Sequence, residues 1–130
     1  MKILLLDTST STCHISLVDG TNVIIAQDWE VDRQLAKELL KRIADLLSLK
    51  GLDWTDIEAI GVFEGPGSFT GLRIGLTVAN TIADGQSIPI VGSRGDDWAD
   101  QALAKISSGQ NEKIVLPFYG SEAKITSPKK

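Results

Sequence analysis

Apolar and polar positions along the chain change their period several times, and each change marks an element. Residues 2–6 are a short continuous apolar run that ends in the polar cluster Asp7-Thr8-Ser9-Thr10-Ser11-Thr12, the pattern of a buried strand followed by a turn. Residues 14–18 alternate polar and apolar, Asp19-Gly20 supplies turn chemistry, and residues 22–29 are rich in β-branched side chains, which predicts a hairpin beside the first strand. From Arg33 the spacing becomes helical. Leu35, Leu39, Ile43, Leu46 and Leu47 share one face, Lys37, Lys41 and Arg42 lie on the wetter side, and Gly51 ends the helix. Thr55 or Asp56 leads into a strand-type run over 57–63, and a loop beginning at Gly65 feeds a second, largely apolar helix that runs to Ala83. A strand over 88–91, a helix start at Ser93-Arg94-Gly95-Asp96, a third helix over 97–106, a loop over 107–110 and a last strand over 113–116 complete the pattern.

Three strands, then helix and strand in alternation, is the order of a ribonuclease-H-like or actin/Hsp70-like α/β lobe, a mixed sheet flanked by helices. The chain is 130 residues long, enough for one such lobe, which is expected over residues 1–116. Residues 117–130 then form a C-terminal tail, loosely ordered or docking.

Charge and cysteine content narrow the partners. The formal net charge is −4, and the basic residues are scattered until the terminal Pro128-Lys129-Lys130, so a strong direct grip on a nucleic-acid backbone is not expected. RNA would be reached through a partner. The single cysteine, Cys13, rules out an internal disulfide framework and suits a reducing compartment. No run has the length of a signal peptide's apolar region or of a membrane span, which leads to a cytoplasmic expectation.

The stretch GPGSFTGLRIGLTVANTIA, from Gly65 to Ala83, raises a choice between holding a phosphate and holding a protein. A P-loop needs a lysine followed by Ser or Thr after its glycines, and here Gly67 is followed by Ser68-Phe69-Thr70-Gly71. The dinucleotide pattern fails as well, because its third glycine comes one residue late, and Glu64 would repel an anion; Arg73 is the one feature in favour. The alternative is a tight strand-to-helix turn at Gly65, Pro66 and Gly67, with Ser68 or Thr70 capping the helix. Within the helix, Gly71, Gly75, Ala79 and Ala83 recur every four residues, and Leu72, Ile74, Leu76, Val78 and Ile82 leave only Arg73, Thr77, Asn80 and Thr81 polar. Such a helix needs cover on more than one side, from the sheet and a partner or from this domain alone.

That stretch, together with the opening MKILLLDTSTSTCHISLVDG, resembles the TsaB (YeaZ) family, bacterial partners of TsaD in making the threonylcarbamoyladenosine modification of tRNA. The resemblance runs to about Val91 and returns in the end segment LPFYGSEAKITSPKK. It implies a two-lobed member of the actin/Hsp70/sugar-kinase superfamily that is a non-catalytic scaffold with no cofactor. It further implies pairing with TsaD, with TsaE joining the pair, or with a second copy when TsaD is absent. The contacts would come from the first two helices, here Leu35, Leu39 and Ile43 with Gly71, Arg73, Gly75, Leu76 and Ala79. The departure is that most of the second lobe is missing after Val91, and a nucleotide in this superfamily sits between lobes.

Catalytic chemistry has few candidates. Asp7, Thr8 and Ser9 occupy the position of the superfamily's phosphate-facing loop, where they would hold a nucleotide or a metal-bound water, or else they simply hydrogen-bond the turn. His14, the sole histidine, has no further ligands spaced for a metal site, and no nucleophile has an evident base. Asp96, Asp97 and Asp100 at the start of the third helix suit its dipole. Trp54 and Trp98 are core anchors or interface residues. Three functions stay open: a partner subunit of TsaD, a residual ATP- or metal-binding enzyme, and a self-associating module without a pathway role.

Overall fold

The computed structural model describes residues 1–31 and 34–120; the helix start at Arg33 and the tail beyond Gly120 lie outside the described residues. Five strands form one sheet: β1 (Lys2–Asp7), β2 (Thr12–Asp19), β3 (Asn22–Glu30), β4 (Ala59–Phe63) and β5 (Ile90–Ser93). Their order is β3-β2-β1-β4-β5. The β1-β2 and β2-β3 pairs are antiparallel, with Leu4 opposite Leu17 and Leu17 opposite Ile25, whereas β1-β4 and β4-β5 are parallel. This is the mixed, helix-flanked sheet that the alternation of elements predicts.

The pleat of β1 sorts its side chains into two cores, because successive residues of a strand face opposite sides. Leu4 and Leu6 join the larger core with α1 (Leu35–Leu49) and α2 (Phe69–Gln86), while Ile3 and Leu5 join the smaller one under α3 (Trp98–Ser107). The α1 stripe Leu35, Leu39, Ile43, Leu46 and Leu47 is buried as its spacing requires. Of the two candidate caps for α2, Ser68 serves: its Oγ accepts from the Gly71 N–H at 3.1 Å. A single turn of 3-10 helix over Trp54–Asp56 precedes β4, closed by reciprocal bonds between Asp53 and Asp56.

The last expected strand, over 113–116, is not formed. Its backbone finds a side chain instead of a sheet edge: Asn80 on α2 donates through Nδ2 to the Val115 carbonyl and accepts from the Val115 N–H through Oδ1, both at 2.9 Å. The outer edge of β5 is meanwhile occupied by single contacts, with the Ile90 N–H donating to Asn111 Oδ1 and the Glu112 N–H donating to the Ile90 carbonyl. Residues 114–119 thus run as a strap beside α2, ending where Tyr119 stacks on Phe69 at a centroid distance of 4.5 Å.

Candidate functional site

Three places bear on function: the turn after β1, the ends of β4 and β5, and the outward side of the helix layer. At the first, Asp7 Oδ1 accepts from the Ser9 N–H at 2.8 Å, a local turn of the kind short polar side chains make. Thr8 is buried, and its hydroxyl donates to the Gly71 carbonyl on α2 at 2.8 Å. The backbones approach closely here. A β-carbon on Gly75 would lie 2.0 Å from Thr8 Oγ1, one on Gly71 would lie 2.4 Å from the Thr8 carbonyl oxygen, and one on Gly67 would lie 2.5 Å from Ser9 Cβ. The Ser68 N–H completes the clamp by donating to the Ser9 carbonyl at 2.7 Å. Asp7 Oδ1 and the Thr8 hydroxyl are thus engaged by the fold, while Pro66 and Thr70 are exposed and Thr70 lines a small hollow of about 270 Å³.

No cluster of three His, Cys, Asp or Glu side chains is placed to hold a metal ion among the described residues. His14 meets Asp28 across the β2-β3 pair. Cys13 is fully buried, and burial first, then the negative charges of Asp7, Glu38 and Glu30, push its thiol up to about 11 from an ordinary 9.0. It is expected to resist a thiol-specific reagent at pH 8 in the native protein and to react at the rate of global opening, which a chromogenic disulfide assay reads directly. Because the folded value is the higher one, the stability it contributes is complete below pH 9 and is lost as the pH rises through 11.

At the carboxyl ends of β4 and β5, where open α/β sheets usually admit ligands, the chain fills its own crevice. Glu64, which by sequence would repel an anion, is paired with Arg94 at 2.6 Å. Arg94 lies 3.5 Å over the Phe118 ring, and the Phe118 N–H donates to the Glu64 carbonyl at 2.7 Å. Gly65 sits at φ +132°, and a β-carbon there would lie 1.9 Å from the Phe118 carbonyl oxygen.

The helix layer shows where the residues expected to meet a partner lie in this chain. Leu35, Leu39, Ile43, Leu76 and Ala79 are buried in the larger core, and Gly71 and Gly75 are backed by Thr8. The small-residue stripe accommodates this chain's own β1-β2 turn. Of the eight predicted contact residues only Arg73 is exposed. The outward surface belongs to residues one helical step away: Ala36, Lys37, Leu40 and Lys41 on α1, and Arg73, Thr77 and Thr81 on α2. Thr77 Oγ1 donates to the Arg73 carbonyl at 2.7 Å and Thr81 Oγ1 to the Thr77 carbonyl at 2.8 Å. Both hydroxyls are therefore satisfied within the helix and can be covered without leaving an unpaired polar group. The four-residue spacing of Arg73, Thr77 and Thr81 was the sequence signal for this row.

Residues 22–94 match the family model for TsaD, tRNA N6-adenosine threonylcarbamoyltransferase. The tRNA threonylcarbamoyladenosine biosynthesis protein TsaB of Escherichia coli (strain K12) is 39% identical over 93 residues, which cover 71% of this chain and 39% of that protein. The tRNA N6-adenosine threonylcarbamoyltransferase of Caldivirga maquilingensis is 32% identical over 92 residues, covering 71% of this chain and 27% of that protein. YeaZ from Pseudomonas aeruginosa superposes with a TM-score of 0.66 at 30% identity, over 72% of this chain and 45% of that one. This chain spans about two fifths of the length of the curated TsaB relatives it matches.

Proposed function

The chain belongs to the TsaB (YeaZ) family, with an α/β lobe of the actin-like type, and we propose that it is a non-catalytic partner subunit of TsaD in forming N6-threonylcarbamoyladenosine in tRNA. The observation that carries this reading is the outward row Arg73, Thr77 and Thr81 on α2, with Leu40 exposed on α1. It is a helical face whose hydroxyls are already bonded, so a second helix layer can cover it at little desolvation cost. Engagement of Asp7 and Thr8 within the fold supports a scaffold role rather than catalysis by this chain. TsaE would join through TsaD, tRNA would be reached only indirectly, and in the absence of TsaD the same face would pair two copies in the cytoplasm.

Light scattering on a sizing column tests the reading. The chain mixed with TsaD from the same organism is expected to give a one-to-one complex in place of a homodimer. Thr77→Arg, a change at an exposed position, should weaken that complex by about 100-fold, since a charged side chain is forced into a covered helix face. Absence of a complex with the unaltered chain would remove the proposal.

A further inference from the structure

Among the described residues β5 ends the sheet, and its outer side is closed mainly by side chains. Alternate residues of a strand turn their N–H and C=O groups to the same side. The carbonyls of Pro89 and Ser93 accept from the N–H groups of Ile60 and Glu64, on the β4 side, which leaves Ile90 and Gly92 facing away from the sheet. All four of their backbone groups are engaged. The Ile90 N–H donates to Asn111 Oδ1 at 3.2 Å, and the Ile90 carbonyl accepts from the Glu112 N–H at 2.9 Å. The Gly92 N–H donates to Glu112 Oε1 at 3.2 Å, and the Gly92 carbonyl accepts from Lys105 Nζ on α3. Lys105 and Glu112 are themselves an ion pair at 3.3 Å.

These four groups are the ones a neighbouring strand would use. A sixth strand would satisfy them and present an equal row of its own one step further out, so the open edge would be moved and not removed. An amide oxygen, a carboxylate and an ammonium group satisfy them and offer no ladder beyond. The backbone does not continue alongside β5 either, because Lys113 has a left-handed φ of +67°, with its N–H bonded to Asn111 Oδ1 at 2.8 Å. Without these contacts the edge would be self-complementary. A two-fold axis beside β5 sets Ile90 of one copy opposite Gly92 of the other and Val91 opposite Val91, which pairs all four groups across an antiparallel junction in a segment that carries no charge. We infer that Lys105, Asn111 and Glu112 form an edge guard, an intramolecular contact that keeps β5 from pairing with β5 of a second copy.

Amide hydrogen exchange at Ile90 and Gly92, read together with light scattering on the full chain, tests the guard. Every sample carries Thr77→Arg, so that pairing through the helix face does not contribute. With the guard intact, both amides should exchange slowly, at rates that do not change with protein concentration. In Lys105→Ala, Glu112→Ala the Gly92 amide should exchange about tenfold faster in dilute solution and regain its protection as a dimer forms in concentrated solution. Glu112→Ala alone, a milder change should the double variant fail to fold, should show the same pattern to a smaller degree. Glu112→Gln keeps an acceptor for the Gly92 N–H and should stay monomeric. A folded variant that loses the Gly92 protection and remains monomeric at every concentration overturns the guard. A dimer whose Gly92 amide stays unprotected overturns it too, since another surface then holds the dimer. Concentration-dependent protection with the guard intact does the same, because the edge is then already open. No TsaD is present, so failure of the guard and failure of the TsaD reading are told apart.

Discussion

A Gly75→Val variant is expected to unfold at a markedly lower urea concentration than the unaltered chain. The β-carbon alone would sit 2.0 Å from Thr8 Oγ1 and 2.8 Å from Thr8 Cβ, and Thr8 cannot swing aside, because its hydroxyl is bonded to the Gly71 carbonyl and the side chain is buried. Relief requires moving α2 off the sheet or pulling the β1-β2 turn away from it. Overpacking typically costs about 1–3 kcal/mol and occasionally more, a large part of the roughly 5–15 kcal/mol by which domains are usually stable. Gly85 is the internal comparison, since nothing lies within 4 Å of a β-carbon there. Gly85→Ala should raise stability by about 0.5–1 kcal/mol through helix propensity alone. Urea unfolding followed by circular dichroism separates the two, and a native-like Gly75→Val midpoint would show that the stripe does not pack on Thr8. The same contact means that a bulky change at Gly75 reports on folding and not on partner binding.

Leu39→Ala is expected to lower stability by about 2–5 kcal/mol, the range for emptying a fully enclosed aliphatic site. Leu39 and its neighbour on the stripe, Ile43, are both fully buried between α1 and the sheet, so the surroundings have little freedom to collapse into the space. Its effect on the partner should be indirect: under conditions where the variant remains folded, affinity for TsaD should stay within about twofold of the unaltered chain, since an inward side chain contributes nothing to the contact. A small stability loss accompanied by lost binding would reverse this assignment and return Leu39 to the interface.

Most of the fold was legible because it is written in local periods. The run at residues 3–6, the helical spacing of Leu35, Leu39 and Ile43, and the Gly-Pro-Gly turn each depend on residues within a few positions of one another, and each element appears where its pattern put it. The strand expected at 113–116 failed for the opposite reason. A short apolar run does not reveal whether a sheet edge is free to receive it, and here a side chain from α2, 35 residues away, supplied the hydrogen bonds instead.

The candidate site was legible in part. Arg73 and the stripe were visible, and so was the need for α2 to be covered on more than one side, but in this chain six of the eight expected contact residues are buried, Gly71 is half-buried and Arg73 is exposed. A glycine every four residues announces that a backbone will come close, without saying whose. By itself, then, the sequence determined the elements, their order, the two-sided α2 and the kinship with TsaB, because those follow from spacing and residue identity along the chain. Only the tertiary structure decided which side of α2 meets the β1-β2 turn, which row is left facing outward, and that residues 114–119 lie as a strap beside it. Those outcomes depend on contacts between segments far apart in sequence, where close packing admits one arrangement and local preference does not choose among several.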